Sequence, residues 1–96
     1  MRDSDRSRLL KELRQAIDAT DQLTGRQKRV AKRKLRRPIP QQQALDFIAA
    51  EAMVDGVFYA SEEDQFEVLV DWDSFAAFLE RILPLLLQLF GGFFGG

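Results

Sequence analysis

The densest run of chemistry-bearing side chains lies at residues 26–37, where eight of twelve residues are Lys or Arg and none is acidic. The eight are Arg26, Lys28, Arg29, Lys32, Arg33, Lys34, Arg36 and Arg37. Cations at this density neutralise phosphates and release condensed counterions, which makes the run a candidate nucleic-acid or anion-binding segment. No aromatic is interleaved with it, so base stacking is not indicated. The expected binding is electrostatic, sequence-tolerant and salt-sensitive. The same charges also suit the acidic half of a neighbouring copy, or anionic lipid headgroups.

Other chemistry has little to stand on. The chain holds no Cys and no His. A thiol nucleophile, a disulfide framework, a zinc site and a His general base are all excluded. The acidic clusters are Glu62-Glu63-Asp64 and Asp71-Trp72-Asp73, and neither has the spacing of a calcium loop. Capping of a following helix accounts for Asp73. Gly91-Gly92 and Gly95-Gly96 are not phosphate loops, because no Lys-Ser/Thr follows and no strand precedes them. No catalytic residue, metal, cofactor or small-molecule substrate is expected, and the chain reads as non-enzymatic.

Ninety-six residues allow one small domain with a marginal core of its own. The formal net charge of −1 conceals a steep asymmetry. Residues 1–40 carry 13 Lys/Arg against 5 Asp/Glu, a net of +8; residues 41–96 carry 1 against 10, a net of −9. The switch falls at Pro38-Ile39-Pro40. Met1 to Arg8 is charged and no apolar run follows it, so no signal peptide is read there. A cytoplasmic or intravirion setting is expected over secretion.

The elements that must position these residues follow from hydrophobic spacing. Leu9, Leu10, Leu13, Ala16 and Ile17 mark an amphipathic helix over 5–20, with Asp3, Ser4 or Asp5 as its cap. Thr24 and Gly25 mark a break and a second N-cap. Residues 26–37 are good helix formers, but their mutual repulsion predicts a frayed helix unless an anion or a packed partner holds it. Pro38 ends that helix and Pro40 can start the next. Residues 41–55 form a third helix, buried through Ala44, Leu45, Ile48, Ala52 and Met53, with Phe47 at the edge. Gly56 closes it. The period then changes to two. Residues 57–60 and 66–70 predict a β-hairpin around a loop at 61–65, with Phe66, Val68 and Val70 on one face. Trp72 is placed as a hydrophobic staple ahead of a last helix that starts near Ser74. Pro84 predicts a kink in it.

The fold class expected is therefore α+β, mainly α: three N-terminal helices, a β-hairpin and a long apolar C-terminal helix. Within one domain, residues 1–37 form a basic helical segment, 38–73 a helix plus hairpin, and 74–96 the apolar helix and its Gly/Phe tail. The order helix, helix, helix, hairpin over residues 6–70 resembles a winged helix. That resemblance implies a third helix entering the major groove. Here residues 41–55 offer Gln41, Gln42 and Gln43 but no Lys or Arg, and the wing loop is acidic. Both departures argue against duplex reading by that mode and leave such a shape for protein contacts.

The last helix is apolar nearly all round, so it must be covered by protein or lipid. Phe75, Phe78, Leu79, Ile82, Leu83, Leu86, Leu89, Phe90, Phe93 and Phe94 form a candidate oligomer or membrane interface. Glu80 and Arg81 fall inside the stretch, and Pro84 follows them, which disfavours a membrane span. A protein interface is the leading expectation. The function expected is a structural or assembly protein, of the kind found as a small virion or phage component. It would oligomerise through the C-terminal helix, with its basic segment facing nucleic acid or an acidic neighbour. A membrane-associated protein and a nucleic-acid-binding winged-helix-like regulator are the alternatives.

Overall fold

Leu9, Leu13 and Ile17 recur every four residues and so line one side of a helix. In the computed structural model, which describes residues 2–89, all three are buried within α1, Asp3–Ala19. This helix starts earlier than expected. Arg2 takes the N-cap position and no side chain caps it, so Asp3, Ser4 and Asp5 do not serve as caps. Asp3 and Asp5 instead lie in the first turn, where their charge complements the positive end of the helix dipole.

The second helix, α2, runs Gly25–Lys34. Thr24 and Gln27 form a reciprocal capping box: Thr24 Oγ1 accepts from the Gln27 amide at 3.1 Å, and Gln27 Oε1 accepts from the Thr24 amide at 2.9 Å. Two of the four amides orphaned at a helix start are satisfied this way. The third helix, α3, spans Pro38–Asp55 and begins at Pro38 rather than beyond Pro40. Pro38 occupies the first helical turn, where a missing N–H costs nothing, and Arg37 before it is extended as a pre-proline residue should be. Gly56 closes α3 at φ 76°. Ala44, Leu45, Ile48 and Ala52 are buried, whereas Met53 is 52% exposed. Met53 sits one residue, about 100°, around the helix from Ala52 and so leaves the apolar side.

Strands β1, Phe58–Ala60, and β2, Val68–Val70, pair antiparallel in the register Phe58↔Val70, Tyr59↔Leu69, Ala60↔Val68. The loop is longer than expected, because Phe66 belongs to the turn and is 85% exposed. Asp64 consumes the residues that would have extended β2. Its carboxylate accepts the Phe66 amide at 3.0 Å and its carbonyl accepts the Glu67 amide at 2.9 Å.

The last helix, α4, spans Trp72–Leu89 and continues unbroken through Pro84. Asp71, not Asp73, accepts from the Ser74 hydroxyl at 2.9 Å at its start. Phe75, Phe78, Leu79, Ile82, Leu83 and Leu86 are buried. Phe75 is the centre of an aromatic cluster, with Trp72 edge-on at 5.1 Å, Phe78 at 5.8 Å and Phe58 stacked at 6.3 Å. Trp72 lies within the helix, three residues before Phe75, rather than ahead of it as a staple.

The helices α1 and α4 run side by side in the same sense. The Arg8 guanidinium lies 4.3 Å from the Trp72 ring centroid near the start of α4, and Ala19 faces the same groove as Leu83 further along. The core draws on all four helices and β1. Among the described residues no polar or charged side chain is buried. The architecture is mainly helical with a two-stranded antiparallel hairpin between α3 and α4.

Candidate nucleic-acid interface

Two of the eight basic residues are spent on holding α2 in place. Lys28 Nζ donates to the Asp18 carbonyl at 2.6 Å, and Lys32 Nζ donates to Asp18 Oδ1 at 2.7 Å. Asp18 lies in the last turn of α1, where carbonyls have no intrahelical partner and the dipole favours a cation. Ala31 and Leu35 are buried on the core side of the same helix. The partner that α2 needs to overcome its self-repulsion is thus α1 of its own chain.

The remaining surface is a row of arginines. Arg26, Arg29, Arg33, Arg36 and Arg37 are all exposed, and none makes an ion pair among the described residues. Their spacing of three or four residues puts Arg26, Arg29 and Arg33 on one side of α2, with Arg36 and Arg37 extending the row past its end. That side is opposite buried Ala31. Lys34 is half-buried at the edge. The fold therefore divides the cations, with Lys28 and Lys32 turned to α1 and the arginines outward. An exposed guanidinium suits phosphate because its planar fork can donate two parallel hydrogen bonds. The row spans roughly 16 Å from Arg26 to Arg37 at the helical rise of about 1.5 Å per residue.

A shallow groove continues from the end of the row. Arg36, Pro38, Ile39, Gln41, Gln42, Gln43, Asp46 and Arg6 of α1 line it. Gln41 is structural: it accepts from the Arg6 guanidinium at 3.1 Å and donates to the Leu35 carbonyl at 3.0 Å, closing the end of α2. Gln42 donates to Asp46 at 2.8 Å. Ile39 is 73% exposed between two prolines. Sequence reading passed over both Asp18 and Ile39. Asp18 stands 10 and 14 residues from its lysines, so no local spacing pointed to it, whereas an apolar residue inside Pro-x-Pro was a signal that could have been used.

The fold uses most of the expected apolar interface itself. Phe75, Phe78, Leu79, Ile82, Leu83 and Leu86 are covered by α1, α3 and the hairpin of the same chain. Leu85 and Leu89 remain about half exposed, at 49% and 53%. Phe90, Phe93 and Phe94 lie outside the described residues. Among the described residues no helix is long and apolar enough to cross a membrane.

Of the acidic clusters, Glu62-Glu63-Asp64 lies in the hairpin loop and Asp71-Trp72-Asp73 at the start of α4. Ser61 Oγ accepts from the amides of Glu63 and Asp64, and among the described residues no group of three potential metal ligands converges. A second groove of about 400 Å³ runs between α1 and α4. Its floor holds Ala16, Ala19, Leu79 and Leu83, and its rim holds Glu12, Asp21 and Glu80. Comparison with known protein families, with curated proteins and with solved structures yields no match.

Proposed function

We propose that this chain is a non-enzymatic assembly protein that grips the phosphate backbone of a nucleic acid through the arginine row of α2. The observation that carries this reading is the outward set Arg26, Arg29, Arg33, Arg36 and Arg37, exposed and without acidic partners among the described residues. A surface lattice of cations that the fold leaves uncompensated favours any polyanion that can match its spacing. The apolar side of α2 is taken up by the core, so the helix has no apolar face to lay into a bilayer, which weighs against lipid.

Binding to a mixed-sequence duplex should fall steeply with salt. Five phosphate contacts correspond to a log–log slope of about −4.5 and roughly a 500-fold loss over a fourfold rise in salt. The triple charge reversal Arg29→Glu, Arg33→Glu, Arg37→Glu should abolish binding while leaving the circular dichroism spectrum intact. Unchanged binding by that variant would sink the reading.

One observation favours a second occupant for the same row. Glu12, Asp21 and Glu80 rim the groove between α1 and α4, and Asp21 and Glu80 make no ion pair among the described residues. A neighbouring copy could place its arginines there, joining copies head to tail. Native mass by light scattering after nuclease treatment separates the two. A monomer at low salt leaves nucleic acid as the occupant; an oligomer that Glu80→Lys dissolves assigns the row to a neighbour.

A further inference from the structure

We infer that Ile39 is an apolar wedge that inserts against the bases of a duplex while the flanking arginines hold its phosphates. The inference rests on the phosphate-binding reading and adds what the protein does to the nucleic acid once bound.

Three observations converge on this residue. Ile39 is 73% exposed and shares one surface groove with Arg36, Gln42 and Gln43. It is therefore an apolar tip at the cationic end of the molecule, directly after Arg36 and Arg37. The backbone that carries it is stiff: Pro38 and Pro40 fix φ on either side, and the segment forms the first turn of α3. Little entropy remains to be lost when the side chain is driven into a confined site. The polar groups around it also fit base edges. Gln43 is exposed and its side chain makes no hydrogen bond to the described residues, and the exposed Asp46 carboxylate, already accepting from Gln42, repels phosphate but accepts from amino groups.

The start of α3 is not itself the phosphate site. Two of its first three residues are prolines without an N–H, and the Gln41 amide is bonded to the Arg37 carbonyl at 3.0 Å. Phosphate contact falls to the arginines, and Ile39 is left to meet something apolar. An exposed aliphatic side chain set beside phosphate-binding cations is the arrangement by which architectural proteins partly unstack a base step and bend a duplex. Stacking with splayed single strands would call for aromatics, and none lines this groove.

The test uses the full chain and a short duplex carrying a fluorophore at each end. Wild type should shorten the end-to-end distance measured by energy transfer and brighten a fluorescent adenine analogue at an interior step. Ile39→Ala should bind several-fold more weakly, with an unchanged salt slope, and should leave the duplex straight. Arg36→Ala should instead flatten the slope by about 0.9. Salt-dependent binding with no bend, or a bend that Ile39→Ala preserves, overturns the wedge and leaves phosphate binding standing. No binding by wild type at low salt overturns both.

Discussion

Asp18 accepts from Lys32 Nζ at 2.7 Å across the turn that joins α1 to α2, and its carbonyl accepts from Lys28 as well. One residue thus anchors the basic helix by both its side chain and its backbone. The consequence is a division of labour between cations with the same formal charge. The pair is partly exposed, with side chains 32% and 55% accessible, so its contribution to stability is small. Asp18→Ala should lower stability by about 0.5–1 kcal/mol. Lys32 would then join the arginines, while Lys28 keeps its bond to the backbone carbonyl of residue 18. The slope of binding against salt should steepen by about 0.9. Calorimetry and a duplex titration on the same variant check both halves.

Thr24→Ala removes the side-chain half of the capping box, at a cost of about 1 kcal/mol. Far-UV circular dichroism should show lost helix at low salt. Saturating duplex should restore it, because phosphates relieve the repulsion within α2. A variant whose helix content ignores the duplex would show that α2 is not where the polyanion sits.

Phe78 is fully buried and Leu85 is 49% exposed, on the same helix. Phe78→Ala should cost about 3–5 kcal/mol. That is a large fraction of the roughly 5–14 kcal/mol expected of a chain this long. Leu85→Ser should stay within about 0.5 kcal/mol. Thermal melts of the two variants decide whether α4 is core or spare interface.

Gly56→Ala meets no atom within 4 Å, so its penalty is purely that of placing a side chain at φ 76°. A loss of about 1–2 kcal/mol is expected. Gly25→Ala also meets nothing within 4 Å but sits in α2 without a positive φ. It should stabilise the chain by about 0.4–1 kcal/mol through the unfolded state. Denaturant midpoints for the two glycines should move in opposite directions.

Much of the fold is written in local spacing. Leu9, Leu13 and Ile17, the Thr24 cap, Gly56 and the change of period near Val57 each announce their element within a few residues. Met53 and Phe66 mislead because each extends an apolar run by one position past the point where geometry ends it. Met53 is carried round the helix, and Phe66 is taken by the Asp64 turn. The candidate site was legible as a charge run but not as a surface. Which cations face outward depends on Asp18 in another helix, and which apolar residues of α4 remain uncovered depends on α1, far away in the chain.

The pairing of α1 with α4 sets a condition on how the protein comes into being. Arg8 and Trp72 meet at 4.3 Å although 63 residues separate them along the chain. Helix α1 therefore emerges from the ribosome before its principal partner is synthesised. Its Leu9, Leu13 and Ile17 are not fully covered until translation reaches α4, and closing so long a loop slows the step. The core is then completed only when α4 arrives, and a chain shortened within α4 would not be a smaller version of this protein but one that never finishes its core.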